Sequence, residues 1–282
     1  MRSDASARVA GLLLALHAAC FWPVWCWYVE RLTDGSDEPW VIVALLAAVA
    51  LSWPRAGFRL DAADPLLAAA AALTLLYAVL VPFAPPLIRQ LTAMVALGAS
   101  WVAVTGTRAR LAPILALLAL SIPVIASLQF YAGFPLRVLT ASGATCVLNL
   151  FGLDVARVGT SMSAAGRTVL VDAPCSGVRM LWTGAMLTCV LAAMRARVGW
   201  RALALSLFIA LPVVLAANSL RAALLFVAET RAGQPSGLAH SLIGMFTFLF
   251  AAGLLLASEL LQMRYVRRGP AMTPVFARGL SP

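Results

Sequence analysis

From Val9 to Gln262 the chain is a succession of apolar runs separated by short polar links. This pattern leaves little choice of fold. A run such as Leu238–Gln262 can cross a hydrocarbon layer of about 30 Å, which takes about 20 helical residues at 1.5 Å each. With no water inside a bilayer, each backbone N–H and C=O must find its partner within the protein, and a helix supplies these locally. The composition agrees: of 282 residues, 62% are hydrophobic and 11% charged. The expected class is an all-α membrane protein with the lipid bilayer as its surroundings. The formal charge of +10 does not indicate nucleic acid, because the arginines sit at the ends of apolar runs and form no basic stripe interleaved with aromatics.

Taken in order, the runs predict about eight transmembrane helices: Val9–Val29, Trp40–Trp53, Pro65–Val81, Leu87–Thr105, Leu111–Gln129, Ser176–Met194, Trp200–Ala217 continuing through Ala228, and Leu238–Gln262. Between the fifth and sixth, Gly133–Gly152 reads as an amphipathic helix at the membrane face. Leu153–Ser161 and Gly166–Val171 alternate like strands around Ser163-Ala164-Ala165-Gly166, which predicts a short β-hairpin. Arginines gather in alternate links, as at Arg108 and Arg110 or Arg195, Arg197 and Arg201, while Glu30–Pro39 is net acidic. Positive charge marks the cytoplasmic side, so both termini are expected inside. The chain thus reads as one integral membrane domain. It comprises N-terminal spans over 1–130, an extracytoplasmic helix and hairpin over 131–174, a second set of spans over 175–263, and a basic cytoplasmic tail over 264–282.

This topology brings three reactive residue types to one membrane depth on the outer face. Cys175 follows Pro174 at the start of the sixth span, where the unpaired N–H groups of a first helical turn favour a thiolate. Arg179 is one turn further on. Arg221 lies about 20 residues into a helix entering from the inside, and His240 opens the last span. A thiol can attack a carbonyl, an imidazole can carry the proton and a guanidinium can steady an oxyanion. Each residue also has a plainer reading. Cys175 could be a small core residue, Arg179 a structural cation, Arg221 an anchor reaching for headgroups and His240 an interfacial polar group. Asn218, one turn before Arg221, either packs helices or orients that arginine. The five cysteines show neither CxxC nor zinc-ligand spacing, and two histidines without a carboxylate cluster predict no metal.

The blocks Pro174-Cys175-Ser176-Gly177, Asn218-Ser219-Leu220-Arg221, and His240 followed by Gly244 resemble the exosortase/archaeosortase family of multispanning membrane cysteine transpeptidases. The resemblance is carried by the last 110 or so residues. It implies a catalytic set of Cys175, Arg221 and His240; Arg179 and Asn218 are supporting candidates from their spacing, and no cofactor is expected. It also implies a bacterial inner-membrane location and substrates with a C-terminal sorting signal: a short motif such as Pro-Glu-Pro, a transmembrane helix and an arginine-rich cluster. A family link to exopolysaccharide production leaves a rival from another class, a transporter or assembly component of polysaccharide export. A thiol–disulfide oxidoreductase is a second rival, against which the missing CxxC counts.

Overall fold

The computed structural model describes residues 2–35, 40–54, 57–232 and 237–268. The first apolar run is not one straight helix. Helix α1 (Arg2–Cys20) meets α2 (Trp22–Thr33) at a bend of 68°. Pro23 has no N–H to give the preceding turn, and its ring crowds the carbonyl four residues back. Phe21 fills the corner, fully buried and edge-on to Tyr77 at 4.8 Å. Helices α3 (Val41–Ser52), α4 (Pro65–Leu80) and α5 (Pro86–Thr105) follow. The start of α4 is fixed by Pro65 in its first turn and by Asp64, whose carboxylate accepts from Leu66 N–H at 2.8 Å and also pairs with Arg108.

The second break has more consequence for function. Helix α6 (Leu111–Leu120) stops at Ser121–Val124, where Pro123 again removes a donor, and α7 (Ile125–Leu150) leaves at 89°. The predicted fifth span is therefore split. The segment expected as a separate amphipathic helix over Gly133–Gly152 belongs instead to one 26-residue helix. Then come strands β1 (Ala156–Val158), β2 (Ser161–Ala164) and β3 (Arg167–Leu170), and the helices α8 (Val178–Ala193), α9 (Trp200–Ala232) and α10 (Gly237–Arg268). In place of the expected two-stranded hairpin there is a three-stranded antiparallel sheet in the order β1-β2-β3. The β2–β3 turn is only Ala165-Gly166, both at positive φ (49° and 76°). Such a turn matches the twist of the strands that it joins.

The expectation of eight spans is also revised. Among the described residues, four helices are long and apolar enough to cross a membrane, or six if each bent pair makes one crossing. With 12 and 16 residues, α3 and α4 reach only about 18 and 24 Å. Apolar runs in sequence do not count full crossings here because proline breaks and short helices interrupt them. Helix α10 extends through Arg268, past the expected end at Gln262. The rest of the basic tail lies outside the described residues.

Four apolar clusters hold the described residues together, and two of them are the largest. One gathers α2, α3, α5, α6 and α8 around Met94, Ile114, Leu117 and Trp182. The other packs the sheet on α7 and α9 through Met162, Leu148, Ala223 and Phe226. Helices α7 and α9 approach closely at Gly143, where a Cβ would run into the Ser219 hydroxyl. Where α8 ends, Arg195 crosses to Glu259 on α10 at 2.9 Å, and both side chains are almost wholly buried. Removing one partner from such a pair strands the other charge, which costs about 3–5 kcal/mol. Glu259→Ala is expected to lower the thermal midpoint in detergent by several degrees. Joint replacement of Arg195 by Met and Glu259 by Leu should restore most of it.

Candidate active site

The strand β3 runs into Val171 and Asp172, and the chain then makes one tight 3-10 turn over Ala173–Cys175. Its bonds are local: Cys175 N–H donates to the Asp172 carbonyl at 3.1 Å and Ser176 N–H to the Ala173 carbonyl at 3.2 Å. Gly177 follows with φ +89° and precedes α8. Cys175 therefore stands before the helix, separated from it by a left-handed glycine, and not in its first turn as expected. Proline and serine flanking the cysteine favour a turn as readily as a helix start, and the glycine decides between them.

Side chains from two helices fix this turn. From α7, Gln129 donates to the Ala173 carbonyl at 3.2 Å and accepts from the Ser176 hydroxyl at 2.8 Å. Asn218 on α9 is buried, and its amide donates to the Cys175 carbonyl at 3.2 Å and to Thr140 Oγ1 at 2.8 Å. Among the described residues Asn218 thus hydrogen-bonds the backbone of the cysteine, and no hydrogen bond joins it to Arg221. The amide fits only because residue 177 is glycine: a Cβ there would stand 2.7 Å from Asn218 Nδ2. Gly177→Ala is expected to cost about 1–2 kcal/mol for its left-handed backbone, and in addition to push Asn218 off the turn. Gly152→Ala is the matched control, with φ +79° and no atom within 4 Å of the added carbon. Both variants should lose a similar backbone contribution in thermal unfolding, and only Gly177→Ala should disturb the reactivity of the Cys175 thiol.

A cavity of about 460 Å³ opens beside the turn, and both Cys175 and His240 line it. Arg221 lies behind His240, with Nη2 at 3.0 Å from the imidazole Nε2. A guanidinium N–H only donates, so Nε2 accepts and the proton of the neutral ring is on Nδ1. Arg221 Nε is buried and has no hydrogen-bond partner among the described residues. Gly244 on α10 faces this head group, and a Cβ there would stand 3.4 Å from Nε, an ordinary contact distance. Residues far apart in sequence are thus gathered on one side of the bundle, two on the cavity wall and the third through a hydrogen bond.

Arg179 does not join them. It is exposed on α8 and lines another cavity of about 530 Å³ with Trp40, Trp182 and Met186. Helical spacing puts it one turn from the cysteine, but the turn before α8 sends the two residues to different cavities. The charges bearing on the thiol are Arg221, Asp172 and Glu229. Asp172 and Glu229, both on the cavity wall, are not among the residues that the sequence singles out, and neither is Gln129. A signal for Glu229 is present: Ala222, Leu225 and Glu229 form an i, i+3, i+7 stripe on α9, and all three line the cavity. His17, the other histidine, bridges Thr74 and Ser100 at 2.8 and 2.9 Å, a hydrogen-bonded role within the bundle.

Fold and site together define a helical multi-pass membrane protein holding a thiol, an imidazole and a guanidinium at one end of its bundle. Residues 32–257 match the family profile described as transmembrane exosortase (Exosortase_EpsH), and the chain belongs to that family. Comparison with curated proteins and with solved structures returned no match.

Proposed function

We propose that this protein is a membrane cysteine transpeptidase that cleaves the C-terminal sorting signal of exported proteins at the extracytoplasmic face of the bacterial inner membrane. The observation that carries this reading is the shared cavity of Cys175 and His240 with Arg221 hydrogen-bonded to the imidazole. In the proposed reaction the Cys175 sulfur attacks the scissile carbonyl carbon. The carbonyl oxygen becomes an oxyanion, and the intermediate collapses to a thioester as the amine leaves.

Arg221 has two uses in this scheme. In the resting site it occupies His240 Nε2. As negative charge develops on the carbonyl oxygen, the guanidinium is drawn towards it, with Nε as an unused donor. Nε2 is then released to hold the thiol proton, which passes to the leaving amine. Later His240 removes a proton from the acceptor that resolves the thioester. Asn218 and Gln129 keep the cysteine backbone in place throughout. The substrate's transmembrane helix would pack laterally on the bundle, where Leu242, Phe246 and Leu249 of α10 face outward.

Cys20, Cys26 and Cys146 are exposed, so the test uses a chain with these three changed to serine. Alkylation of Cys175 by a small thiol reagent should then stop processing of a tagged sorting-signal protein in the same cells. Undiminished processing by the alkylated protein would return the case to a non-enzymatic role in polysaccharide export.

A further inference from the structure

Every residue from Thr168 to Val171 touches the cavity that holds Cys175 and His240. Side chains of a strand alternate between its two faces, so a cavity that follows four consecutive residues runs along the edge of the strand. β3 is an end strand of the sheet. Its hydrogen-bonding parity follows from the register. The two-residue turn pairs Ala164 with Arg167, and from there alternate pairs exchange both bonds: Met162 with Val169, then Thr160 with Val171. The last bond is present as Val171 N–H donating to the Thr160 carbonyl at 2.9 Å.

Thr168 and Leu170, the residues between, therefore turn their N–H and C=O groups away from β2, towards the open edge. Among the described residues no hydrogen bond takes up these groups. The edge is also anchored. Arg167 donates to the Thr230 carbonyl of α9 at 2.7 Å, and Met162 and Val169 pack into the core formed with α7 and α9.

We propose that the open edge of β3 receives the substrate as an added strand. An extended segment of the substrate polypeptide pairs with the backbone of Thr168 and Leu170 and runs along the cavity to the thiol. This rests on the reading of Cys175 as the nucleophile. An unpaired edge binds an extended chain through main-chain hydrogen bonds, with pockets for alternate side chains supplying selectivity. The occupant is a peptide and not another class of ligand because edge and thiol share one cavity, and the thiol's proposed target is a peptide carbonyl. From Leu170 only Val171, Asp172, Ala173 and Pro174 intervene before Cys175. Pairing with β3 therefore sets the distance between the recognition segment and the scissile bond.

Leu170→Pro removes the outward N–H and leaves the β2–β3 bonds intact, because proline is tolerated where its N–H would face away from the ladder. Leu170→Ala removes the side chain alone. The probe is a tagged sorting-signal protein of the same genome. Leu170→Pro is expected to slow its processing at least tenfold relative to Leu170→Ala, with both keeping the wild-type rate of Cys175 alkylation. Wild-type processing by a Leu170→Pro protein that alkylates normally would overturn the proposal. So would a dimer that dissociates on Leu170→Pro with processing intact, which would assign the edge to self-association.

If alkylation shows the proline variant to be misfolded, the purified wild-type chain is assayed with synthetic peptides spanning the cleaved segment, N-methylated at one residue at a time. Strand addition predicts that cleavage falls at every second position, and a flat profile would refute it. Processing that survives Cys175→Ala would instead remove the cysteine chemistry itself, which separates the two failures.

Discussion

Cys175→Ala is expected to abolish processing of the sorting-signal substrate, by more than about 10⁴-fold, and Cys175→Ser to do nearly as much. Loss of a covalent nucleophile is of this order in enzymes whose catalytic groups act as a unit. The substitution is structurally quiet for reasons visible in the site. Asn218 binds the carbonyl of Cys175, and the turn is closed by backbone bonds from residues 175 and 176, so none of these contacts involves sulfur. The side chain is half-buried against the core beneath the sheet, and alanine leaves only a small void. Serine keeps shape and polarity, but a hydroxyl gives up its proton far less readily than a thiol. Measured as accumulation of unprocessed tagged substrate, full processing by both variants would end the cysteine-nucleophile account.

Arg221→Lys is expected to lower processing by about 10²–10³-fold, the usual effect of losing one donor to a developing oxyanion. Lysine keeps the charge but not the planar fork, so it cannot hold His240 Nε2 and present a second N–H from one rigid head group. The same substitution separates the rival reading. An arginine that merely reaches for lipid headgroups is replaced by lysine at little cost, since both snorkel. Comparable processing by the lysine variant would therefore reduce Arg221 to an anchor.

Much of the site is legible in the amino-acid sequence. Cys175, Arg221 and His240 can be named because residues able to do chemistry are rare in apolar spans and because their blocks carry the family resemblance. Depth along a helix does not give direction around it, and Arg179 shows the consequence. A four-residue spacing joins it to the cysteine only if both residues belong to one helix. Gly177 breaks that condition with a left-handed turn. Gln129 carries no local signal that separates it from other polar residues at helix ends, and Glu229 carries only its stripe with Ala222 and Leu225. Their roles depend on the right-angled exit of α7 from α6 and on the edge of β3 facing α9.

That the chain is a helical membrane protein follows from the order of its amino acids alone. Backbone hydrogen bonds in a bilayer must be satisfied locally, so long apolar runs with charge only at their ends dictate helices. Folding in three dimensions settles the rest: how many runs are full crossings, which residues share the cavity and which strand edge is left open. Those outcomes are set by proline breaks, a single left-handed glycine and the packing of α7, α9 and α10. Such contacts join residues distant in sequence, and no local periodicity encodes them.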